Sequence, residues 1–228
     1  MTKFLALFIT ATCLLFSANA SAIMLSSTGG SQGFSVDFNG NVDGTDYPGL
    51  NARADMSLSN VANGGLIWAL NVSLYNLTNS SVFQSSRISV FGFSVGTNLI
   101  GGSVTGVFTQ FAMSGITAGA GISTDFCVKG GGGTNNCNGG GGAGVETGGI
   151  GSLQLNLNFD KVMDNIVLSN FGIRWQSLES NQHGITDGSG TGGGTVSVFT
   201  PQSLLLFALG LVGLAFSRKV VLNRSASI

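Results

Sequence analysis

Two cysteines are the residues whose chemistry is easiest to foresee in this chain. Cys127 and Cys137 are separated by nine residues and bracket the first part of residues 128–151, where 12 of 24 positions are glycine. The chain has one histidine and no second pair of cysteines, so the pair lacks the further ligands that a metal site needs. We therefore predict an intramolecular disulfide, stabilising the fold by about 2–3 kcal/mol, and no metal.

Catalysis would need titratable groups that are scarce here. His183 is the only histidine, and its polar neighbours predict a surface loop, not a catalytic base. Asp160 and Asp164 are a candidate acid pair by spacing, but Asp160-Lys161 is typical of a turn after a strand. The glycine-rich residues 128–151 are not followed by Gly-Lys-Ser/Thr, so they do not match a phosphate-binding loop. We predict no enzyme, no catalytic residues and no cofactor.

Carboxylates at Asp43 and Asp46 could bind calcium at the edge of a sheet. The segment Asp43-Gly44-Thr45-Asp46 lacks the ligand spacing of an EF-hand loop, however. An Asp-Gly dipeptide is typical of a tight turn. A turn is the prediction, with calcium binding as the weaker alternative.

Period-two alternation of apolar and polar residues recurs through the middle of the chain. It predicts strands that have one face in a core and the other in water. The clearest runs are residues 34–38, 54–58, 66–74, 153–159 and 171–175. After Ile88 and Val90 the apolar phase shifts to Phe91, which predicts a β-bulge there. Trp68 and Trp175 lie on apolar phases, so we expect both in the core.

The body of the chain, residues 23–198, is long enough for one domain with a sizeable core. No part of it sustains a helical period, and its hydrophobicity argues against disorder. We predict an all-β fold: a single antiparallel β-sandwich, jelly-roll-like in its long connections, with Gly-rich loops. A Gly-rich solenoid is the alternative, but no fixed repeat supports it. Residues 128–151 are predicted to be a mobile loop and Gly188–Gly194 a spacer.

Three Asn-x-Ser/Thr triplets begin at Asn71, Asn76 and Asn79 and match glycosylation acceptors. We interpret them as positions on a polar strand face.

The first residues have the three parts of a secretory signal peptide. They carry a positive start, an apolar stretch from Phe4 to Phe16, and small residues that predict cleavage after Ala22, or alternatively after Ala20. A transmembrane helix would need about 20 apolar residues. Removal of residues 1–22 takes Cys13 away and leaves two cysteines in a compartment that permits disulfides.

The last residues combine a short apolar run, Leu204–Phe216, with a basic stop at Arg218 and Lys219. Thirteen helical residues rise only about 20 Å, so flanking residues must extend the run to span about 30 Å of hydrocarbon. The basic residues would stay on the cytoplasmic side. We predict a C-terminal transmembrane helix that leaves the body extracytoplasmic, with a buried core helix as the alternative.

This ending resembles the sorting signal of PEP-CTERM proteins, which has a Pro-Glu-Pro motif, a short Leu/Gly/Ala-rich transmembrane stretch and a basic end. The matching positions are Thr200-Pro201-Gln202, the apolar run, and Arg218-Lys219, although Phe199-Thr200-Pro201 stands where the family has Pro-Glu-Pro. The resemblance implies three partners: a sorting and processing enzyme of the exosortase type, the inner membrane through the tail, and exopolysaccharide.

Parts of the body are similar to the cistern subfamily of PEP-CTERM proteins, which has paired cysteines beside a Gly/Asn-rich loop. The similarity lies in Asp125-Phe126-Cys127, Asn135–Asn138, Leu168–Ser177 and Ser86–Phe93. It implies an exported protein of the same fold and no particular activity.

Two classes of function remain. We expect a cell-surface or extracellular-matrix protein, first tethered to the membrane and then processed, with a structural or adhesive role linked to exopolysaccharide and biofilm. The alternative is a carbohydrate- or ice-binding module with a flat Thr/Ser/Asn face. For sugar stacking Tyr47 and Tyr75 are the aromatic candidates outside the predicted core, and ice binding would want a regular Thr-x-Thr array, which the chain lacks. The body carries five basic and ten acidic residues and no basic stripe, which excludes nucleic acid as an expected partner.

Overall fold

Strands make up almost all regular structure in the part of the chain that the structure describes. The computed structural model describes residues 22–29, 32–96, 98–118, 122–131, 136–137 and 142–198. One single-turn 3-10 helix, Asn63–Gly65, interrupts the strands. The strands are β1 (Ala22–Ser26), β2 (Gly33–Val42), β3 (Thr45–Ala62), β4 (Ile67–Asn76), β5 (Ser85–Ser94), β6 (Leu99–Gly106), β7 (Gln110–Ala112), β8 (Thr117–Ala118), β9 (Ile122–Ser123), β10 (Phe126–Lys129), β11 (Val145–Glu146), β12 (Ile150–Phe159), β13 (Asn165–Ser180) and β14 (Ile185–Val198).

Ten of these strands follow one another in a single hydrogen-bonded path, β6-β12-β4-β3-β2-β14-β13-β5-β10-β7. In two places, two short stretches of chain share one edge of a longer strand. β1 and β14 pair with successive parts of one edge of β13, and β11 and β10 pair with successive parts of one edge of β5. β8 and β9 form a separate small hairpin. Neighbouring strands run antiparallel, so the predicted all-β antiparallel class is confirmed.

The sheet bends until its two ends approach each other. Gly102 of β6 packs against the ring of Phe111 in β7, the opposite end of the path. Inside, Phe38 of β2 meets Phe91 of β5 edge to face, with ring centroids 6.4 Å apart. The result is one nearly closed sheet around a main core. Its division into the two packed layers of a sandwich stays a prediction.

The core contains the residues that the alternation selects. Trp68 and Trp175 are both fully buried, as predicted. Trp68 Nε1 donates a hydrogen bond of 3.0 Å to the carbonyl of Gly65. Leu66, counted in the alternating run of residues 66–74, lies in the turn before β4 and is only half-buried.

β5 contains the predicted bulge, one residue earlier than expected. Arg174 pairs with Val90 while the next residue, Trp175, pairs with Ile88, so Ser89 is the extra residue. A bulge reverses the alternation locally. Ile88 therefore faces the main core, whereas Val90 lies on the other side of the sheet in a second buried cluster.

The segment Gly188–Gly194 is not a spacer. It forms part of β14, which lies between β2 and β13 in the middle of the path. Every second residue is a glycine facing the core. A Cβ on Gly192 would lie 2.8 Å from the ring of Trp175, and one on Gly194 would lie 2.8 Å from the ring of Phe38. These glycines leave room for the aromatic side chains of neighbouring strands, so the spacer interpretation is wrong.

Residues 128–151 are only partly a loop, because strands occupy both ends of this range. β10 extends to Lys129, and Val145 of β11 pairs with Ile88 and is buried. β12 then begins at Ile150. The prediction of a loop over the whole range is wrong at these ends, and residues 132–135 and 138–141 lie outside the described part of the chain.

The predicted signal peptide and the predicted C-terminal tail fall largely outside the described residues. Ala22 is the first described residue and belongs to β1, where it pairs with Ser169. Ala20, the sorting positions Thr200-Pro201-Gln202, and Arg218-Lys219 lie outside. Among the described residues, no helix has the length and apolar character to cross a membrane.

Candidate functional site: an open polar sheet face

The outward positions of β2, β3, β4, β12 and β6 carry small polar side chains. Alternation turns their partners inward, and the antiparallel register aligns the outward residues in rows across the strands. The central rows are Thr105, Gln154, Asn71 and Ser57, and Ser152, Ser73, Asp55 and Ser35. We call this surface the open face.

A shallow depression lies in the middle of the open face, beside the end of β6. Amides, hydroxyls and backbone form its polar surface. Its polar and glycine lining residues are Asn71, Ser73, Thr105, Gly106, Ser152 and Gln154. The Gln154 side chain donates to Asn71 Oδ1 at 3.5 Å, so a neighbouring pair of amides is loosely connected. The site therefore offers many hydrogen-bonding groups and little enclosure.

A tighter network occupies the β2–β3 side of the open face. Ser35 Oγ donates to Asp55 Oδ1 at 2.6 Å, and Arg53 Nε donates to the same oxygen at 2.7 Å. Arg53 Nη2 completes the ring by donating to Ser35 Oγ at 2.7 Å. These contacts fix the positions of one guanidinium and one carboxylate.

The network sets the protonation of its two charged members. Partial burial raises the pKa of the Asp55 carboxyl, but the hydrogen bonds from Ser35 and Arg53 outweigh burial and hold the pKa below its ordinary value. The hydrogen bond to Asp55 raises the pKa of Arg53. Both groups are therefore charged at neutral pH, and they neutralise each other.

An apolar platform adjoins this network. Ile150 pairs with Tyr75, which pairs with Arg53, so the three outward side chains form one row. Ile150 is 66% exposed and Leu77, the next outward residue after Tyr75, is 53% exposed. The backbone N–H of Leu77 donates to Asn51, which continues the β3–β4 register past the end of β4. Tyr75, Leu77 and Ile150 are called the platform below.

The outer side of β13, β5, β10 and β7 is different, and we call it the covered face. One of its rows consists of Gly172, Gly92, Cys127 and Ala112. The segment that contains β8 and β9 lies on these small residues: a Cβ on Gly172 would lie 2.8 Å from Ile122 Cγ2. Within this segment the Ile116 N–H donates to Thr124 Oγ1 at 2.8 Å. A second layer therefore packs on this half of the sheet.

The predicted disulfide is confirmed, and it belongs to the covered face. Cys127 and Cys137 are bonded with their Cα atoms 6.0 Å apart. Both are buried with Val90, Ala112 and Ile116 in the second cluster. The bridge thus ties the loop that follows β10 onto the outside of the sheet.

Three cations, Arg87, Lys129 and Arg174, lie at outward positions of the covered face. Lys129 is fully buried, and the side chain of Arg87 is 19% exposed. Arg87 Nη1 lies 3.9 Å from a Glu146 oxygen, and Arg174 Nη2 donates to Ser189 Oγ at 3.4 Å. The Nε atoms of Arg87 and Arg174 are buried without a hydrogen-bond partner.

The candidate catalytic residues are not brought together. His183 is exposed in the loop between β13 and β14, as predicted, and its ring lies 4.7 Å from that of Tyr47. Asp160 and Asp164 are exposed in the β12–β13 connection, at the opposite end of β13. Asp43 and Gly44 have φ of +50° and +85° between β2 and β3, which confirms the predicted two-residue turn. Within the described residues there is no group of three or more His, Cys, Asp or Glu side chains placed to hold a metal.

A serine motif that residue types alone could have flagged is Gly92-Phe93-Ser94-Val95-Gly96, which matches the G-x-S-x-G pattern of a nucleophile elbow. Such an elbow needs an exposed serine on a sharp turn from a strand into a helix. Ser94 instead lies within β5, pairs with Ser169 and is 7% exposed. Its Oγ donates to the carbonyl of Ser123 at 3.3 Å. This serine therefore connects β5 to the segment that contains β8 and β9.

Asn76 is a buried residue that connects strands, and the sequence did not predict this role. The interpretation of Asn76 as part of a polar strand face is wrong, because the residue is fully buried. Its Nδ2 donates to the Val145 carbonyl at 2.9 Å and to Ser86 Oγ at 3.0 Å, and its Oδ1 accepts from Thr78 Oγ1 at 2.6 Å. Asn76 therefore joins β4 to β5 and β11. The phase offered a signal, since Asn76 follows Val72 and Leu74 on the inward positions.

No protein-family model matches the chain, and no curated protein matches it significantly.

Proposed function

We propose that this protein is exported and acts at the cell surface or in the extracellular matrix, in a structural or adhesive role linked to exopolysaccharide. The observation that carries the proposal is the open face: five neighbouring strands present amides and hydroxyls in register on one side of the molecule. On such a surface the hydroxyls of a hydrated polymer can replace bound water, and each exchanged hydrogen bond changes the free energy of binding little. Many weak contacts then act together.

The disulfide is consistent with export, because disulfides persist in oxidising compartments outside the cytosol. Cys127 and Cys137 are paired and buried in the described body. The sequence resemblance to PEP-CTERM proteins adds the membrane tail, with its helix, and processing by an exosortase-type enzyme.

The positions of the first and last strands also suit a tethered body. Ala22 of β1 pairs with Ser169, and Gly193 of β14 pairs with Gly172, along the same edge of β13. Three residues of a strand span about 10 Å. The first and last described strands therefore meet the same edge of β13 about 10 Å apart. In this proposal the bent sheet works as a jelly-roll-like sandwich.

The test is an intact-mass measurement on protein recovered from cells that express the full chain, after separation into cytosolic, membrane and extracellular fractions. We expect a membrane form that lacks the residues up to Ala22 or Ala20, and a surface or extracellular form that also lacks Arg218–Ile228. Replacing Arg218 and Lys219 by serine should reduce the second form. A full-length mass in the cytosol would contradict the proposal.

The alternative function is a carbohydrate- or ice-binding module. The platform favours carbohydrate, since the aromatic residue Tyr75 lies on the open face between Ile150 and Arg53. The rows of this face mix amides, serines and charged groups, and they do not supply the regular threonine array that ice binding would want.

A further inference from the structure

We infer that the platform and the Ser35–Arg53–Asp55 network together form the contact site for a neutral polysaccharide chain. This inference rests on the proposed function and names the partner of its open face. A sugar ring has an apolar side formed by its C–H groups and a rim of hydroxyls. A matching site needs an exposed apolar surface beside hydrogen-bonding groups that are already held in place.

The platform supplies the apolar surface. Ile150 and Leu77 are each more than half exposed on the sheet, next to Tyr75. Exposed apolar side chains that cluster, as these do, mark interaction sites more often than scattered ones. Tyr75 lies between Ile150 and Arg53 in one row, so its ring adjoins both the apolar and the charged groups of the site.

The network supplies fixed polar groups at the edge of the platform. Arg53 uses Nε for Asp55 and Nη2 for Ser35, which leaves Nη1 to donate elsewhere. The Asp55 hydrogen bonds from Ser35 and Arg53 both go to Oδ1, so Oδ2 can accept from a ligand hydroxyl. Donor and acceptor sit side by side, which suits vicinal hydroxyls.

The charge of this surface selects against anionic polymers. Asp37 and Asp55 lie beside Arg53 in the outward rows of β2 and β3, and the whole body carries five more acidic than basic residues. The cations Lys129 and Arg174 lie on the covered face, in the row that contains Val90. A polymer of uronic acids would meet net repulsion here, whereas a neutral chain would not.

The dimensions suit a chain and not a single sugar. The rows from Ser103 and Asn156 to Leu77 are four steps of two residues apart, or about 27 Å along the strands. The central depression, with Asn71, Thr105 and Gln154, lies on the same line as the platform. A polymer can therefore lie along β4, stacked on Tyr75 at one end and hydrogen-bonded to the amides further on.

The experiment measures adsorption of the exported protein, purified from cells that express the full chain, to insoluble cellulose and chitin, with alginate gel as the anionic comparison. We expect saturable adsorption to at least one neutral polymer and weaker adsorption to alginate. Tyr75→Ala should raise the half-saturation concentration about tenfold or more, and Ile150→Ser should raise it several-fold. Tyr75→Phe, which keeps the ring, should bind better than Tyr75→Ala.

Val167→Ser is the matched control, because Val167 is also an exposed apolar strand residue, 47% exposed, but lies on β13 beside Met24 of β1. It should leave adsorption unchanged. Equal effects of Val167→Ser and Ile150→Ser, preferential binding to alginate, or no adsorption to either neutral polymer would overturn the inference. The proposed function would survive each of these results if the protein is still recovered at the cell surface, and it would fail by itself if the protein stays cytosolic.

Discussion

The open face and the covered face are two outer surfaces of the same bent sheet, and they differ in what stands at the outward positions. On the covered face these positions hold glycine, alanine and cysteine, such as Gly172, Ala112 and Cys127. On the open face they hold amides and hydroxyls, such as Asn71 and Gln154. Small outward residues let a second layer approach the backbone, whereas polar ones keep their hydrogen bonds with water. The outward positions thus differ between the faces: they are small where the second layer packs and polar where the sheet is left open.

The difference extends to charge. The covered face keeps Lys129 and two arginines beneath or beside its second layer, and the open face keeps one compensated pair, Arg53 and Asp55. A buried cation costs free energy unless it is well solvated by the protein, so the covered face depends on its own packing. Substitutions on the open face are therefore expected to change the free energy of unfolding little.

The largest loss of stability is expected where the strands of the two faces join. Asn76→Ala removes a buried amide that serves Val145, Ser86 and Thr78, and leaves their polar groups unsatisfied. We expect the free energy of unfolding to fall by about 3 kcal/mol, measured by urea denaturation. Asn71→Ala, an exposed amide on the same strand, is the control and should change it by less than about 0.5 kcal/mol. If Asn76→Ala and Asn71→Ala lowered the free energy of unfolding equally, Asn76 would not be the residue that connects β4 to β5 and β11.

Loss of the disulfide should destabilise the covered face selectively. In the double variant Cys127→Ala with Cys137→Ala we expect a loss of about 2–3 kcal/mol, since the bridge closes a short loop in the unfolded chain. Amide hydrogen exchange should accelerate in residues 110–124 and stay unchanged in β3 and β4. Uniform acceleration across both faces would mean that the bridge does not act on the covered face alone.

The same substitution should have opposite consequences on the two faces. On the covered face, Gly172→Ala places a Cβ 2.8 Å from Ile122 and should cost about 1–2 kcal/mol. On the open face, Gly101→Ala meets nothing within 4 Å and should be neutral or stabilise by up to about 1 kcal/mol, because it restricts the unfolded chain. Thermal unfolding of both variants decides the matter. Equal melting temperatures would erase the distinction between the faces.

The smallest effect is expected at the charged network of the open face. The lowered pKa of Asp55 means that its carboxylate contributes stability above its ordinary value of 3.8, and this contribution is lost as the pH falls through the lower, folded-state pKa. Because the Arg53 and Asp55 side chains are 37% and 36% exposed, the contribution should stay below about 1 kcal/mol. Asp55→Asn should therefore lose slightly less stability than the natural protein between neutral and acidic pH. A larger loss in the variant would reverse the sign.

Local pattern predicted much of the fold. Alternation over residues 153–159 and 66–74 placed Leu155, Leu157 and Trp68 in the core because period two is a property of any half-buried strand. The phase shift after Val90 predicted the bulge, although only the pairing with β13 located it at Ser89. The disulfide was predictable because residues 23–198 contain two cysteines and a single histidine, too few ligands for a metal site.

Glycine-rich sequence was ambiguous in a way that only neighbours resolve. Residues 130–142 and residues 188–194 look alike in composition, yet the second range is a central strand. The glycines at alternate positions there were a signal, but the side chains that require them lie on neighbouring strands. Trp175 and Phe38 on neighbouring strands occupy the space that side chains would need. Propensity alone favours a loop, and tertiary packing overrides it.

The candidate site was predictable in type but not in place. Composition indicated a flat polar sheet face, and Tyr75 was among the aromatic candidates. Which of the two outer surfaces stays open depends on where residues 110–124 fold back, a contact between segments far apart in sequence. The platform likewise exists only because β12 pairs with β4 and brings Ile150 beside Tyr75.

By itself the sequence determined the strand periodicity, the cysteine pair and the composition of the outward positions, since these follow from residue types at short spacing. The tertiary structure decided the strand order, the closure of the sheet and the division between an open and a covered face. Those features depend on long-range pairing and on the space left by neighbouring side chains, which no short stretch of sequence contains.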